Sequence, residues 1–366
     1  MGVRALCLVR LSNPCYKNCI NYYTGFRFKE SGVLARGAPL RVSQVMPTSA
    51  SAPKRVLIVQ YSQSGQLTRV TENVCRPLLG TDAIETTFVT LEPAEPFPFP
   101  WPFLGFFNIF PECVYGDAPP LKPTGLCEDD RFDLIIFAYQ VWFLSPSLPA
   151  TAFLKSDVAR AVFRDTPVVT LVACRNMWTQ AHLAMTRMLD SLGAKRVDNV
   201  VLTDPSPAMA SFITTPRWVL TGRKNAFWGF PAAGLSEQQI ADSERFGKAI
   251  VDGLKSDRER SGAPLLNGLG AVTANVSLIQ SEKIGYRSFR IWGKLLRKIG
   301  DQSSIPRRIV LLLYIVFLVC MIITVVPLTM VIRRLLQSLL RTRFQELKTS
   351  FELPSGSGTE RMEEFS

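Results

Sequence analysis

A chain of 366 residues with 47% apolar content can fill one good-sized core and still carry appendages. Its formal charge of +12 sits at the ends: residues 1–54 hold eight Lys/Arg against one Glu, residues 283–366 fourteen against six acids, and the body between them has slightly more acids than bases. A body that is not basic excludes nucleic acid as its partner. Eight scattered cysteines form no disulfide framework and no metal set, which points to a reducing compartment.

In chain order, residues 1–54 show no sustained hydrophobic period and read as a disordered extension. An Arg-rich, acid-poor leader also fits a transit peptide, and Met46 offers a late start. From 55 to 256 apolar runs alternate with helical periods. Strands are expected at Val56–Tyr61, Ile84–Leu91, Phe132–Tyr139, Pro167–Ala173 and Val197–Thr203, and helices at Leu67–Leu79, Pro149–Phe163, Thr179–Leu192 and Ser236–Leu254. Repeated β-α-β units predict an α/β fold, a five-stranded doubly wound parallel sheet with its ligand site at the carboxyl ends of the strands.

Residues 92–127 interrupt that alternation. Pro-Phe-Pro-Phe-Pro-Trp-Pro-Phe at 96–103 favours a stiff extended chain, and the aromatic density fits a wall for an oily substrate, a membrane contact or a plain lid. Residues 204–234 supply Thr214, Thr215, Arg217, Trp218, Thr221, Arg223 and Lys224, either for anionic groups or as a solvated loop. Residues 257–282 read as a linker, and 283–300 as a basic amphipathic interfacial helix. Residues 309–332 form a 24-residue stretch without a charge, expected to be a single transmembrane helix, and 333–366 a polar tail. The basic flank upstream puts the large domain on the cytoplasmic side.

Three loops fall at the predicted carboxyl edge. After strand one, Ser62, Gln63, Ser64, Gly65, Gln66 and Thr68 surround a helix start and offer N–H groups, hydroxyls and a helix dipole to one anion. The loop lacks the spacing of a nucleoside triphosphate loop or a dinucleotide fingerprint, and a plain N-cap is the alternative. After strand three come Gln140, Val141, Trp142 and Phe143; after strand four Cys174, Arg175, Asn176, Met177 and Trp178. Aromatics there can stack on a flat ring or serve the core. His182, the one histidine, is expected on a solvated helix face, which argues against Ser-His-Asp hydrolysis.

The run RVLIVQYSQSGQLTR resembles the FMN-phosphate loop of flavodoxins, and DLIIFAYQVWFLSPSLPATAFL resembles their second, flavin-flanking loop. The resemblance covers roughly residues 55–256 and implies a flavodoxin-like fold with FMN as cofactor. Ser62, Gln63, Ser64, Gly65, Gln66 and Thr68 would hold the phosphate, and Gln140–Phe143 and Cys174–Trp178 would border the ring. The sequence departs from the family at Leu67, where a hydroxyl residue is usual. More narrowly, PFPFPWPF, YQVWFLSPSLP, VACRNMW and FITTPRWVLTGRK resemble bacterial proteins known as dialkylresorcinol condensing enzymes. One histidine cannot build the site of a two-histidine ketosynthase, so the resemblance implies a flavin-dependent oxidative step. The expectation is a membrane-anchored FMN oxidoreductase for a hydrophobic cyclic substrate, with NAD(P)H as reductant and a biosynthetic enzyme as partner. An electron carrier for a membrane partner, or a non-enzymatic assembly protein, are the competing readings.

Overall fold

The structure is a computed structural model that describes residues 52–336 and 341–366; the expectations for residues 1–51 lie outside them. Five parallel strands form the central sheet: β1 (Lys54–Gln60), β2 (Ile84–Thr90), β3 (Leu134–Tyr139), β6 (Pro167–Cys174) and β7 (Lys195–Thr203), in the order β2-β1-β3-β6-β7. A two-residue ladder, β4 (Val141–Trp142) and β5 (Ser145–Pro146), follows β3. Every residue of β3 is buried, as are five of the seven in β1, which is why their sequences are continuous apolar runs rather than alternating ones. Their crossover elements are α1 (Gln66–Leu79), α4 and α5 (Leu148–Leu154, Asp157–Phe163) and α6 (Thr179–Ser191). With only the five sheet strands counted in chain order, this is the 2-1-3-4-5 order of a flavodoxin-like α/β fold, in which β1 and β3 flank the point where the winding reverses. Helix α1 turns Leu67, Val70, Val74 and Leu78 toward the sheet, an i, i+3, i+7, i+11 stripe.

Sheet and helices fall where the apolar periods predict them, within two or three residues, although the stretch 149–163 is two helices and 236–254 is α8 (Glu237–Asp242) plus α9 (Glu244–Lys255). Other segments depart from expectation. The insertion 92–127 contains two short helices, α2 (Phe103–Asn108) and α3 (Phe110–Tyr115), and residues 204–234 contain α7 (Ala208–Thr221) with Pro216 inside it. Residues 257–282 are not a linker. Leu265, Leu266, Leu269, Ala271 and Val272 are buried, the Asp198 carboxylate accepts from the N–H groups of Leu265 and Leu266, and Val201 N–H donates to Ala271. This segment covers the free edge of β7, which would otherwise present unpaired backbone groups.

The helix expected over 283–300 begins earlier, as α10 (Val276–Ile299), with the Asn275 side chain accepting from Ser277 N–H. It is followed by α11 (Ile305–Leu336) and α12 (Arg341–Glu352). Residues 305–324 are long and apolar enough to cross a membrane. The polar tail expected at 333–366 is instead partly docked: Phe351 and Ser355 are buried, and the Ser355 hydroxyl donates to Asp198 while accepting from Asn199 N–H. Cys75, Cys113, Cys174 and Cys320 are free thiols; Cys127 is disulfide-bonded, which departs from the expectation of scattered, unpaired cysteines.

Candidate functional site

The loops after β1, β3 and β6 converge at the carboxyl edge of the sheet around a cavity of about 190 Å³. Gln63, Ser64, Gln66 and Leu67 come to it from the first loop and helix start, Gln140, Val141, Trp142 and Phe143 from the second, and Cys174 and Arg175 from the third. Ser62, Gly65, Thr68, Asn176, Met177 and Trp178 do not line it. The far wall comes from the insertion (Phe99, Trp101, Phe106, Ile109) and from α7 (Thr215, Trp218, Val219), with Asp204 after β7 closing one side.

The first loop turns on Gly65, whose φ of 77° a side-chain-bearing residue adopts only with strain. Helix α1 starts immediately after it and has no side-chain cap. The first backbone bond into the helix is Arg69 N–H to Gly65, so the N–H groups of Gln66, Leu67 and Thr68 have no acceptor within the helix. Next to them the Ser62 Oγ is buried without a hydrogen-bond partner. Uncapped N–H groups, a helix dipole and a spare hydroxyl make an anion cradle that needs no cation. Arg69, the nearest cation in sequence, is turned to Glu237. Leu67 is 1% exposed and belongs to the buried stripe of α1, and it also lines the cavity, so where the resemblance expects a hydroxyl the site has an apolar side chain.

Gln63 ties this loop to the insertion. Its Nε2 donates to Pro98 O at 2.9 Å, its Oε1 accepts from Trp101 Nε1 at 3.0 Å, and its backbone N–H donates to Gln140 Oε1 at 3.2 Å. The Pro/Phe/Trp segment is therefore a strap held across the mouth of the site.

In the second loop Phe143 and Leu144 join β4 to β5 with φ of 47° and 61°. Two positive φ values are what a tight hairpin turn demands, and non-glycine residues meet them at about 1–2 kcal/mol each. The turn sends Phe143 toward Phe106 (4.9 Å between centroids) and Phe289 (5.7 Å). Trp142 stands edge-on to Tyr61, Phe97 and Trp101 at 5.8, 5.1 and 5.9 Å. Rings continue outward: Phe143 meets Phe110, Phe110 meets Tyr314 of α11 at 4.7 Å, and Tyr314 meets Trp292 of α10 at 5.2 Å. An unbroken aromatic path thus runs from the cavity wall to the C-terminal helices.

The third loop splits in two. Arg175 is the one cation among the described residues lining the cavity. Its guanidinium lies 4.1 Å from the Phe212 ring centroid and its Nη2 is 3.2 Å from Met177 Sδ; burial lowers its pKa to about 10, which leaves it charged at neutral pH. Burial pushes the Cys174 thiol far up, so it is no nucleophile. Trp178, expected at the flavin edge, is instead 2% exposed and packs edge-on against His182 and Phe351. His182, expected in solvent, is buried with it, its ring 3.4 Å from Asn199 Nδ2; burial, aided by Arg196, lowers its pKa to about 4.

Two acids were missed from sequence. Asp204 accepts from Ser206 N–H and Gly234 N–H, pinning the 204–234 excursion to the end of β7; its position directly after the fifth strand was the available signal. Glu282 of α10 accepts from the Thr179 hydroxyl and Gln180 N–H at the start of α6, and burial raises its pKa to about 7. Arg217, a candidate for anionic groups, instead bonds Arg223 O and Asn225 O and stacks on Phe227. No group of three or more potential metal ligands occurs among the described residues.

No protein-family model and no curated protein matches the chain. Solved structures do. A flavoprotein in complex with FMN from Lactobacillus acidophilus is 18% identical, covering 40% of this chain and 93% of that one, with a TM-score of 0.33. Oxidised flavodoxin 1 from Bacillus cereus is 11% identical over 54% of this chain and 97% of its own, with a TM-score of 0.30. A flavodoxin from the domain Archaea is 9% identical over 55% and 99%, with a TM-score of 0.30.

Proposed function

We propose that this protein is an FMN-dependent oxidoreductase that acts on a hydrophobic ring compound drawn from a membrane. The observation that carries the reading is the pairing, at the point where the sheet reverses its winding, of an uncapped helix start and a buried, unpartnered Ser62 hydroxyl with an aromatic wall. The donors of the Ser62–Thr68 loop fit a phosphate dianion. Trp142 and Phe143 fit the border of a flat ring, and Arg175 offers a charge to a ring carbonyl.

The volume sets a condition. At about 190 Å³ the cavity is below the roughly 300–1,000 Å³ of sites that engulf a ligand, so a flavin enters only when the strap 96–103 moves outward. A strap that covers the site favours enclosed chemistry over an electron carrier, whose flavin edge must meet a protein partner. Bound FMN would supply hydride and single-electron transfer. The finer reading is removal of two hydrogens from a cyclohexanedione-type ring to give an aromatic dihydroxybenzene, the oxidative step of dialkylresorcinol formation; bound FMN would accept the two electrons and an external acceptor of the quinone class would reoxidise it, with the domain on the cytoplasmic face of the membrane and a biosynthetic enzyme as partner.

The test is the visible spectrum of the detergent-solubilised full chain, followed by titration of the flavin-free protein with FMN. Loaded protein is then assayed against lipid-soluble quinones, with NADH and NADPH as reductants, and against cyclic diones, with a quinone as electron acceptor. Colourless protein that takes up no FMN overturns the cofactor; flavin-loaded protein inert toward the whole panel overturns the oxidoreductase reading while leaving the cofactor in place.

A further inference from the structure

The 32-residue helix α11 is roughly 48 Å long at 1.5 Å per residue, enough to span the hydrocarbon core with length to spare. A single span, however, leaves its two flanks on opposite sides of the membrane. Here both flanks are fastened to the same α/β body. At the start, Arg307 is 2% exposed; its Nη2 donates to both carboxylate oxygens of Glu112 of α3 and to Asn108 O, and its Nε donates to Asn108 Oδ1. Past the end, the last turn of α12 holds Phe351, buried against Trp178, and Glu352, whose carboxylate accepts from Ala274 N–H. Ser355 then bonds Asp198 and Asn199 in the middle of β7, while Gly270 N–H donates to Gly358 O and Arg361 N–H to Gly268 O. Opposite flanks cannot both reach β7 and α3 of one domain across a bilayer.

The surface of the two long helices shows what the alternative is. Helix α11 packs Leu311, Tyr314 and Ile315 inward, and leaves Ile309, Leu312, Leu313, Val316 and Ile323 in the open, Ile323 at 67% exposure. Helix α10 exposes Ile284, Ile291 and Leu295, an i, i+7, i+11 stripe, and immediately beside it runs a second stripe of Lys283, Arg287, Arg290, Lys294, Arg297 and Lys298. Four of these basic residues, with Tyr115, form an open hollow, and among the described residues only Arg297 of the six is in an ion pair, with Asp117. An apolar stripe bordered by unpaired cations is the pattern of a helix lying in the headgroup plane of an anionic membrane. Phe103 and Leu104 of α2 are exposed as well.

We infer that the α10–α11 pair is a monotopic membrane-docking face, which seats the α/β body on one leaflet containing anionic lipid, with the body and Ser366 on the same side. Docking needs no cofactor, so it stands or falls apart from the flavin reading. It also gives the aromatic path a direction, from the leaflet into the cavity.

The test uses the full chain with an epitope at its C-terminus, in membrane vesicles whose outer face carries the α/β domain. Protease in the medium is expected to remove that epitope; its protection while the α/β domain is digested shows a single span and overturns the inference. Purified protein is expected to co-sediment with vesicles of phosphatidylcholine plus phosphatidylserine more strongly than with phosphatidylcholine alone. Neutralising Lys283, Arg287, Lys294 and Lys298 to Gln together should weaken binding to the anionic vesicles by two to three orders of magnitude, at roughly fivefold per basic residue. The same variant should change binding to neutral vesicles little and keep the circular dichroism of the parent. Leu313→Asp with Val316→Asp, both on the open face, should weaken binding to either vesicle. Protein that self-associates through this face and ignores vesicles overturns the inference, as does binding indifferent to both sets of substitutions.

Discussion

Ser62→Ala is expected to move two quantities in opposite directions. In the protein without FMN the Ser62 Oγ is buried and has no partner, and an unsatisfied buried polar group costs about 1–3 kcal/mol. Removing it should raise the stability of the flavin-free protein by about 1 kcal/mol, the low end of that range because the loop is only half-buried. With FMN bound, the same oxygen would donate to the phosphate, and a hydrogen bond to a charged group is worth about 1.5–3 kcal/mol, so the dissociation constant should rise about 10- to 150-fold. The pair of measurements is a urea midpoint of the flavin-free protein and a fluorescence titration with FMN. A structural serine gives a different pattern: stability falls and affinity is unchanged. Either an unaltered affinity or a destabilised flavin-free protein refutes the assignment of this loop as the phosphate cradle.

Trp101→Phe removes the indole donor to Gln63 while keeping a ring in the aromatic cluster; loss of about 1 kcal/mol of strap closure should speed FMN association roughly fivefold in stopped-flow fluorescence, and an unchanged rate would show that the strap does not gate entry. Gly247→Ala places a Cβ 1.9 Å from the Val74 carbonyl oxygen, forcing α9 away from α1, and should cost at least about 3 kcal/mol in urea unfolding. His182 is held neutral in the fold with its pKa at about 4, against 6.5 when unfolded. The folded state therefore binds fewer protons, and its contribution is complete above pH 6.5 and lost as pH falls toward 4. His182→Gln should accordingly gain about 2–3 kcal/mol relative to the parent between pH 7.5 and 4.5, read from urea midpoints at both values. Glu282, raised to about 7 from 4.5, runs the other way: its folded form binds more protons, so the stability it brings is complete below pH 4.5 and lost as pH rises through 7. Glu282→Gln should flatten that decline.

The sheet was readable because its central strands are buried on both faces, and an unbroken apolar run as short as Leu134–Tyr139 suits a two-sided strand better than a helix. The first two loops were readable because a strand, a turn and a helix start are local features. Trp178 was misassigned because proximity along a loop does not say which side of the sheet a ring turns to, and its partner, Phe351, lies far down the chain. A local signal did exist for His182: together with Trp178, Met185 and Leu189 it completes an i, i+4, i+7, i+11 face, which places it in the core. Helix α7 was obscured by Pro216 and the Thr214-Thr215 pair inside it. Its first-turn neighbours supply no acidic signal either. The docking of residues 265–274 and 351–358 onto β7 depends on Asp198, a single buried carboxylate that collects donors from both segments. No window of local sequence contains that arrangement.

That docking is also what changes the meaning of the long apolar helix. Length and hydropathy alone make residues 305–324 a membrane-crossing candidate, and the same properties serve equally well for a helix that lies flat with half its circumference in lipid. The choice turns on where the next segment of chain goes. Ser355 bonding to β7 closes the path of the chain on the side from which it started, so an oily ring leaving the leaflet would meet Phe317, Trp292 and Tyr314 before Phe110 and Phe143. Breaking that order at one point should separate the two roles of the aromatic path. Phe110→Ala, fully buried between the cavity and α11, should leave FMN affinity unchanged and lower kcat/KM for lipid-soluble substrates more than for short water-soluble analogues of the same ring. Equal loss for both would mean that Phe110 only supports the fold and that substrate reaches the cavity from the aqueous side.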